Sequence, residues 1–140
     1  MISLNTVAFD AVNEAGIRHV RIGVFVEEQG VDSAIDFDGL DANAIHVLVT
    51  SDNKPIATGR MLEDGHIGRI AVLKSFRGQG LGARVMLSLV EEAQNRGYKR
   101  VYLGAQKYAV GFYSGLGFVP YGEEYIEAGI VPISMQRMLN

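Results

Sequence analysis

The 140-residue chain carries 13 Lys and Arg against 16 Asp and Glu, a net charge of −3, with 48% hydrophobic and 21% charged residues. This balance fits one globular domain, 1–140, large enough to bury a core unaided, and the slight acidity argues against nucleic acid or an anionic membrane as partner. With no cysteine in the chain, disulfides, thiolate nucleophiles and Cys-type zinc sites are excluded.

The start, "MISLNTVAFD", has neither the basic nor the apolar region of a signal peptide. No apolar run approaches the ~18 residues of a membrane-spanning helix. The reading is a soluble, cytoplasmic protein. "ISLNTVAF" is expected to be a first strand. Asp10 is placed to cap a helical stretch, "DAVNEAGIRHVRIGVFVEEQ". An acidic stretch with Asp32, Asp36, Asp38 and Asp41 follows and reads as a solvated loop, with the alternative of drawing a cationic substrate toward a cleft. "AIHVLVT", "PIATGRML" and "HIGRIAVL" read as an antiparallel meander, its second turn marked by Asp64-Gly65. Leu81, Val85, Met86, Leu89 and Ala93 form one apolar stripe at helical spacing, and Gly97 is placed to end that helix. "RVYLGA" is the next strand, making strand–helix–strand and so one parallel crossover. A short helix, "QKYAVGFYSGLG", precedes "FVPYG" and "IVPISMQRML", a last strand pair. The fold class expected is α+β, a mixed, mostly antiparallel central sheet with helices on both faces.

The segment "FRGQGLGARVMLSLVEEAQNRG" places Gly78, Gly80 and Gly82 where a helix should begin. Glycine is about 1 kcal/mol worse than alanine inside a helix, so bare backbone serves another purpose there. A helix start offers unpaired N–H groups and partial positive charge, a ready site for phosphate. Glycine lets phosphate oxygens reach those groups and permits positive φ. Arg77 and Arg84 are near enough to add charge. The P-loop string is absent, and the spacing Gly78-x-Gly80-x-Gly82 is not that of a dinucleotide fold.

The pattern Arg77-x-x-Gly80-x-Gly82 after "RIAV" resembles the coenzyme A signature [QR]-x-x-G-x-[GA] of the GCN5-related N-acetyltransferase (GNAT) superfamily. "FYSGLGF", about thirty residues on, resembles the family's terminal "FYxxxGF" element, and the likeness covers nearly the whole chain. It implies an N-acetyltransferase that moves the acetyl group of acetyl-CoA directly to a primary amine of a small molecule. Arg77, Gly78, Gln79, Gly80, Leu81 and Gly82 would hold the diphosphate. Ile70, Ala71 and Val72 would line pantetheine and turn backbone N–H groups to the thioester carbonyl. Phe112 would flank the cofactor, and Tyr113 would protonate the leaving thiolate, with Tyr108 the lesser candidate. Many relatives carry a glutamate base on the central strand. Here that strand reads His66-Ile67-Gly68-Arg69, without a carboxylate, and Glu27 and Glu28 are the substitutes, Glu28 the catalytic candidate.

The N-terminal half, "RIGVFVEEQGVDSAIDFDGLDANAIHVLV", resembles a bacterial subgroup of YjcF-like and ElaA-like proteins. That likeness sets the subgroup's Glu-Gln pair on Glu28 and Gln29, its histidine on His46 and a strand-end glutamine on Gln106, all toward the acceptor, with Glu27 beside them as a further acceptor-side candidate. Where the subgroup reads "E-x-G-I-P-H", this chain reads "EAGIVPI", with Pro132 at the histidine's place. A homodimer is implied by relatives alone. Two rival readings are a non-catalytic CoA-binding sensor, kept open by the missing strand carboxylate, and an acyl-homoserine-lactone synthase-like acyltransferase, disfavoured by the intact loop. No metal site is expected, since His19, His46 and His66 form no H-E-x-x-H motif and the acidic stretch lacks EF-hand spacing.

Overall fold

The computed structural model describes residues 1–122 and 132–140. In chain order the elements are β1 (Ile2–Val7), α1 (Glu14–Arg21), α2 (Ser33–Asp36), β2 (Ile45–Ser51), β3 (Lys54–Met61), β4 (Ile67–Val72), α3 (Leu81–Asn95), β5 (Arg100–Ala105), α4 (Val110–Gly115), β6 (Val119–Pro120) and β7 (Ile133–Met138). Strands β1-β2-β3-β4 form one antiparallel sheet, and β5-β7-β6 form a second. One parallel bridge, His66 with Tyr102, joins them, backed by Tyr102 N–H donating to Gly65 O at 3.0 Å. The β4–α3–β5 crossover is therefore present as expected, and the mixed α+β architecture with it.

The meander follows from its residues. Runs of consecutive buried residues, Val47, Leu48 and Val49 in β2 and Ile56 and Ala57 in β3, fit strands covered on both faces, and the β2–β3 turn places Asp52 and Asn53 both at positive φ, as a tight hairpin of matching twist requires. The two long helices lie on opposite faces. Leu48 and Pro55 meet α1 at Gly16, whereas Gly59 faces Val85 and Leu89 of α3. Gly59 is required by proximity. A Cβ there would lie 2.5 Å from Ile70 Cδ1 and 2.6 Å from Val85 Cγ1. The main core lies between α3 and the sheets, with Val47, Val49, Ile56, Leu81, Met86, Leu89, Val101 and Met135 among its buried members. A smaller cluster of Val20, Val24 and Ala71 forms under α1.

Three expectations change on contact with the structure. Asp10 does not cap α1. Its carboxylate accepts from Val12 N and Asn13 N, closing a turn that delays the helix to Glu14. The long helical stretch is also not one α-helix. After Arg21 it loosens into a π-helical segment, Ile22–Glu28, with Gln29 N–H reaching back five residues to Val24 O.

The third change concerns the acidic stretch, which is not a solvated loop. Asp36 and Asp41 are 3% and 5% exposed and bind buried Arg21, at 3.1 Å and 2.6 Å. Arg60 from β3 holds Asp38 at 2.7 Å and Asp41 at 3.0 Å. Arg69 from β4 reaches Asp36 at 3.1 Å and Asp38 at 3.2 Å, so the three aspartates are neutralised by arginines from α1, β3 and β4. Buried carboxylates without such partners would be strongly destabilising.

Candidate active site

The glycine loop leads into α3. Gly78 and Gly80 have φ of +81° and +76°, and Gly80 occupies the cap position with no side chain to close the helix start. Added Cβ atoms at either glycine would meet nothing within 4 Å, so the loop's outer surface is open. The first main-chain bond into the helix is Arg84 N–H to Gly80 O at 3.1 Å. The N–H groups of Leu81, Gly82 and Ala83 precede it and lack helical partners by geometry. Open glycines, unpaired donors and the helix dipole make this an anion cradle.

Beside it, β4 and β5 part. Their pairing ends at the His66–Tyr102 bridge, and among the described residues no backbone bond joins Ile70, Ala71 or Val72 to β5. Tyr102 locks this corner. Its ring stacks on His66 at 4.7 Å, and its O–H donates to the Asp64 carboxylate. Burial, then that hydrogen bond, push the Tyr102 phenol up to about 12.

Just beyond that bridge, β4 is irregular on its β3 side. Thr58 pairs with Ala71, but Arg60 pairs with Gly68, so β4 carries one residue more than β3 between them. This is a β-bulge, with Arg69 and Ile70 opposite Gly59. Arg69 has φ of +54°, a conformation that disfavours an L side chain by roughly 1–2 kcal/mol.

Both helices that follow the parted strands stand at the same end of the slot. This brings Phe112 of α4 to Gly82 of α3, where an added Cβ would lie 3.9 Å from the Phe112 ring. Tyr113 packs edge-on to Phe112 and Phe118, with centroids at 5.1 Å and 6.2 Å. Burial, then the neighbouring Tyr108, raise its pKa above the usual tyrosine range, so it is a neutral O–H donor at physiological pH. Tyr108 itself is 84% exposed.

Two residues expected in different roles meet each other. Arg77 donates to both carboxylate oxygens of Glu28, at 2.6 Å and 2.5 Å, and through Nε to Val72 O at 3.0 Å. The hydrogen bond from Arg77 is the main cause of a lowered Glu28 pKa. Arg77 thus spans the end of β4, fastening the π-helical segment to the loop, and Glu28 is a weaker base than an isolated glutamate. Glu27, Gln29 and Gln106 lie on the surface. His46 does not, being 1% exposed. Its Nε2 lies 2.9 Å from Asp41 O, and its Nδ1 has no partner among the described residues. Burial lowers its pKa, leaving the ring neutral beneath Arg21 and Arg60. The structure sets His46 behind the acidic loop rather than on an open surface. Pro132 is buried, while the preceding "EAGIV" lies outside the described residues. Among the described residues no cluster of His, Asp and Glu forms a metal cage, and no helix is long and apolar enough to cross a membrane.

Sequence reasoning missed Arg69 and the arginine cage. A trace was present, because Arg60 interrupts the apolar run of β3 and Arg21 sits on the inward stripe of α1. Cations at core positions imply buried anions, and the Asp-rich loop was their source.

Comparison with known proteins bears on the same features. Residues 10–139 match the family model described as an acetyltransferase (GNAT) domain. The chain is 37% identical over 123 residues to YjcF of Bacillus subtilis, named an uncharacterized N-acetyltransferase, covering 85% of this chain and 88% of that one. The crystal structure of Escherichia coli ElaA superposes with a TM-score of 0.85 at 30% identity, over 98% of this chain and 99% of that one. A putative N-acetyltransferase from Lactobacillus plantarum superposes with a TM-score of 0.89 at 26% identity, over 99% of both chains. The cradle before α3 and the parted strands thus stand in a setting shared along almost all of the chain, which belongs to the GNAT acetyltransferase family, a family of acyl transfer.

Proposed function

We propose that the protein is an acetyl-CoA-dependent N-acetyltransferase acting on a primary amine of a small molecule. The observation that carries this reading is the open glycine cradle at the mouth of the β4–β5 slot. A diphosphate at the loop would be met by the N–H groups around Gln79, Leu81 and Gly82. Pantetheine would then lie along Ile70, Ala71 and Val72, whose unpaired strand edge offers hydrogen bonds to an extended amide chain. A backbone N–H facing the thioester carbonyl stabilises the oxyanion that forms when the amine attacks. Phe112 closes the slot beside Gly82.

The free amine attacks the carbonyl carbon, forming the C–N bond. Collapse of the tetrahedral intermediate breaks the C–S bond. Tyr113 gives its proton to the departing thiolate and recovers one as the ammonium proton of the intermediate is released through water. Glu28, kept ionised by Arg77, accepts a hydrogen bond from the incoming ammonium rather than removing its proton outright. Glu27, Gln29 and Gln106 frame the acceptor side. His46 supports this wall from beneath through Asp41. With so weak a base, the rate depends on the acceptor's own fraction of free amine.

The test is acetyl-CoA turnover over a panel of small amines, read by release of free thiol, with Tyr113→Phe run beside it. The reading expects thiol release with a subset of amines and kcat lowered about 100-fold in the variant. A second reading, a CoA-binding sensor, draws on the Arg77–Glu28 pair, which occupies the available carboxylate. Tight CoA binding without thiol release for any amine would select it.

A further inference from the structure

We propose that Arg69 is a positioning residue for acyl transfer, its side chain holding the β4 bulge in the shape that presents the next main-chain N–H groups to the thioester. The inference rests on the acetyl-CoA reading and deepens it. The bulge falls just beyond the His66–Tyr102 bridge, where β4 leaves β5, and just before Ile70, Ala71 and Val72. Its geometry therefore sets the direction of that strand edge.

The choice of residue is informative. Arg69 takes φ of +54°, while Gly68 beside it does not take a left-handed conformation and has open space at its Cβ position. A glycine would suit the left-handed position better, so an arginine there points to work done by its side chain. Its contacts supply that work. Nε donates to Asp36 O at 3.1 Å, and Nη2 donates to Ile35 O at 3.2 Å and to Asp38 Oδ2 at 3.2 Å. Nε also lies 3.1 Å from Asp36 Oδ1. Two of these acceptors are main-chain carbonyls, so the guanidinium follows the path of the loop as well as its charge.

The loop is a fixed anchor. Arg21 of α1 holds Asp36 and Asp41, and Arg60 of β3 holds Asp38 and Asp41. Arg69 thus ties the strand edge to a wall braced by two other elements. A side chain anchored at both ends can hold a bulge against closure toward β5.

The experiment uses the full chain with Arg69→Gly, Arg69→Ala and Arg69→Lys. Three quantities are read: CoA affinity by calorimetry, the 13C resonance of carbonyl-labelled acetyl-CoA when bound, and kcat. Arg69→Gly is decisive, because glycine accepts the backbone geometry but lacks the tether. The expected result is CoA affinity within about twofold of the parent, since the substitution leaves the glycine loop, Gly78 to Gly82, unaltered. The carbonyl resonance moves back toward its free position in the Gly and Ala variants, and kcat falls about 100-fold, as for a small misplacement of reacting groups. Arg69→Lys restores part of both. A parent-like resonance and kcat in Arg69→Gly would overturn the proposal. Should the Arg69 variants fail to fold, Asp38→Asn loosens the same tether from the loop side. A smaller displacement of the resonance in the same direction supports the role, and an unmoved resonance overturns it. Failure of the parent protein to bind acetyl-CoA at all is a different outcome, removing the acetyl-CoA reading and this inference with it.

Discussion

Tyr113 sits among Phe112, Phe118 and Tyr108, and loss of water around its phenol disfavours the anion. Its raised pKa has a definite sign in a pH profile. A general acid with a raised pKa stays protonated beyond the ordinary tyrosine value of about 10. The kcat profile should therefore rise with the free-amine fraction of the acceptor and show no falling limb below about pH 10. A falling limb near pH 8 would assign the acid elsewhere. Glu28 gives a second prediction at this scale. Because Arg77 lowers its pKa, Glu28→Gln should raise the acceptor KM more than it lowers kcat, whereas an outright base would lose mainly kcat. The glycine-opened start of α3 was legible from residue type and spacing, since it depends on local chain geometry, whereas Tyr113 was marked only by the likeness of "FYSGLGF" to the family's element. The meeting of Arg77 with Glu28, and the burial of His46, were not. Each joins residues distant in sequence through a side-chain path that no local pattern records.

At the scale of elements, α3 was legible from its apolar period and the meander from β-branched apolar runs broken by turn residues. The end of the first helix was not. Ile22–Glu28 continues the helical run without a break signal in sequence yet loosens to a π-helical turn, placing Glu28 beside the end of β4 through Arg77. The bulge was equally hidden, since an arginine at positive φ leaves no turn signature. The arginine cage explains why the acidic stretch folds down on the sheet. Arg21→Met should destabilise the protein by about 3–5 kcal/mol, the usual result of stripping one partner from a buried ion group. Arg96→Met, which removes only the surface pair with Glu92, should change stability by less than about 1 kcal/mol. Urea denaturation of both variants checks this, and equal effects would show the cage to be incidental.

For the whole molecule, the same cage sets how stability follows pH. Asp38 and Asp41 have lowered pKa values in the folded chain, as does His46. Hydrogen bonds from arginine depress Asp38. At Asp41 burial works the other way and is outweighed by Arg21 and Arg60, while at His46 burial itself disfavours the cation. For all three the unfolded chain takes up protons first as pH falls, so stability declines with acidification. The decline should begin near the ordinary histidine value of about 6.5 and steepen through the carboxylate range. Denaturation midpoints at pH 8, 6, 5 and 4 measure it. In Asp38→Asn the steep lower part should flatten, and an unchanged slope would place the acid sensitivity outside the cage.

Among the described residues the two sheets are joined at the His66–Tyr102 corner and part beyond it, so that a loop, a strand edge and a short aromatic helix converge on one slot. The central claim is that main-chain donors around Gln79 grip a diphosphate at that slot. Isothermal calorimetry with CoA, acetyl-CoA and pantetheine tests it most directly. CoA and acetyl-CoA should bind at one site per chain, with pantetheine, which lacks the diphosphate, at least about tenfold weaker, the loss of roughly one charge-assisted hydrogen bond. No heat with CoA or acetyl-CoA, or equal affinity for pantetheine, would contradict the account.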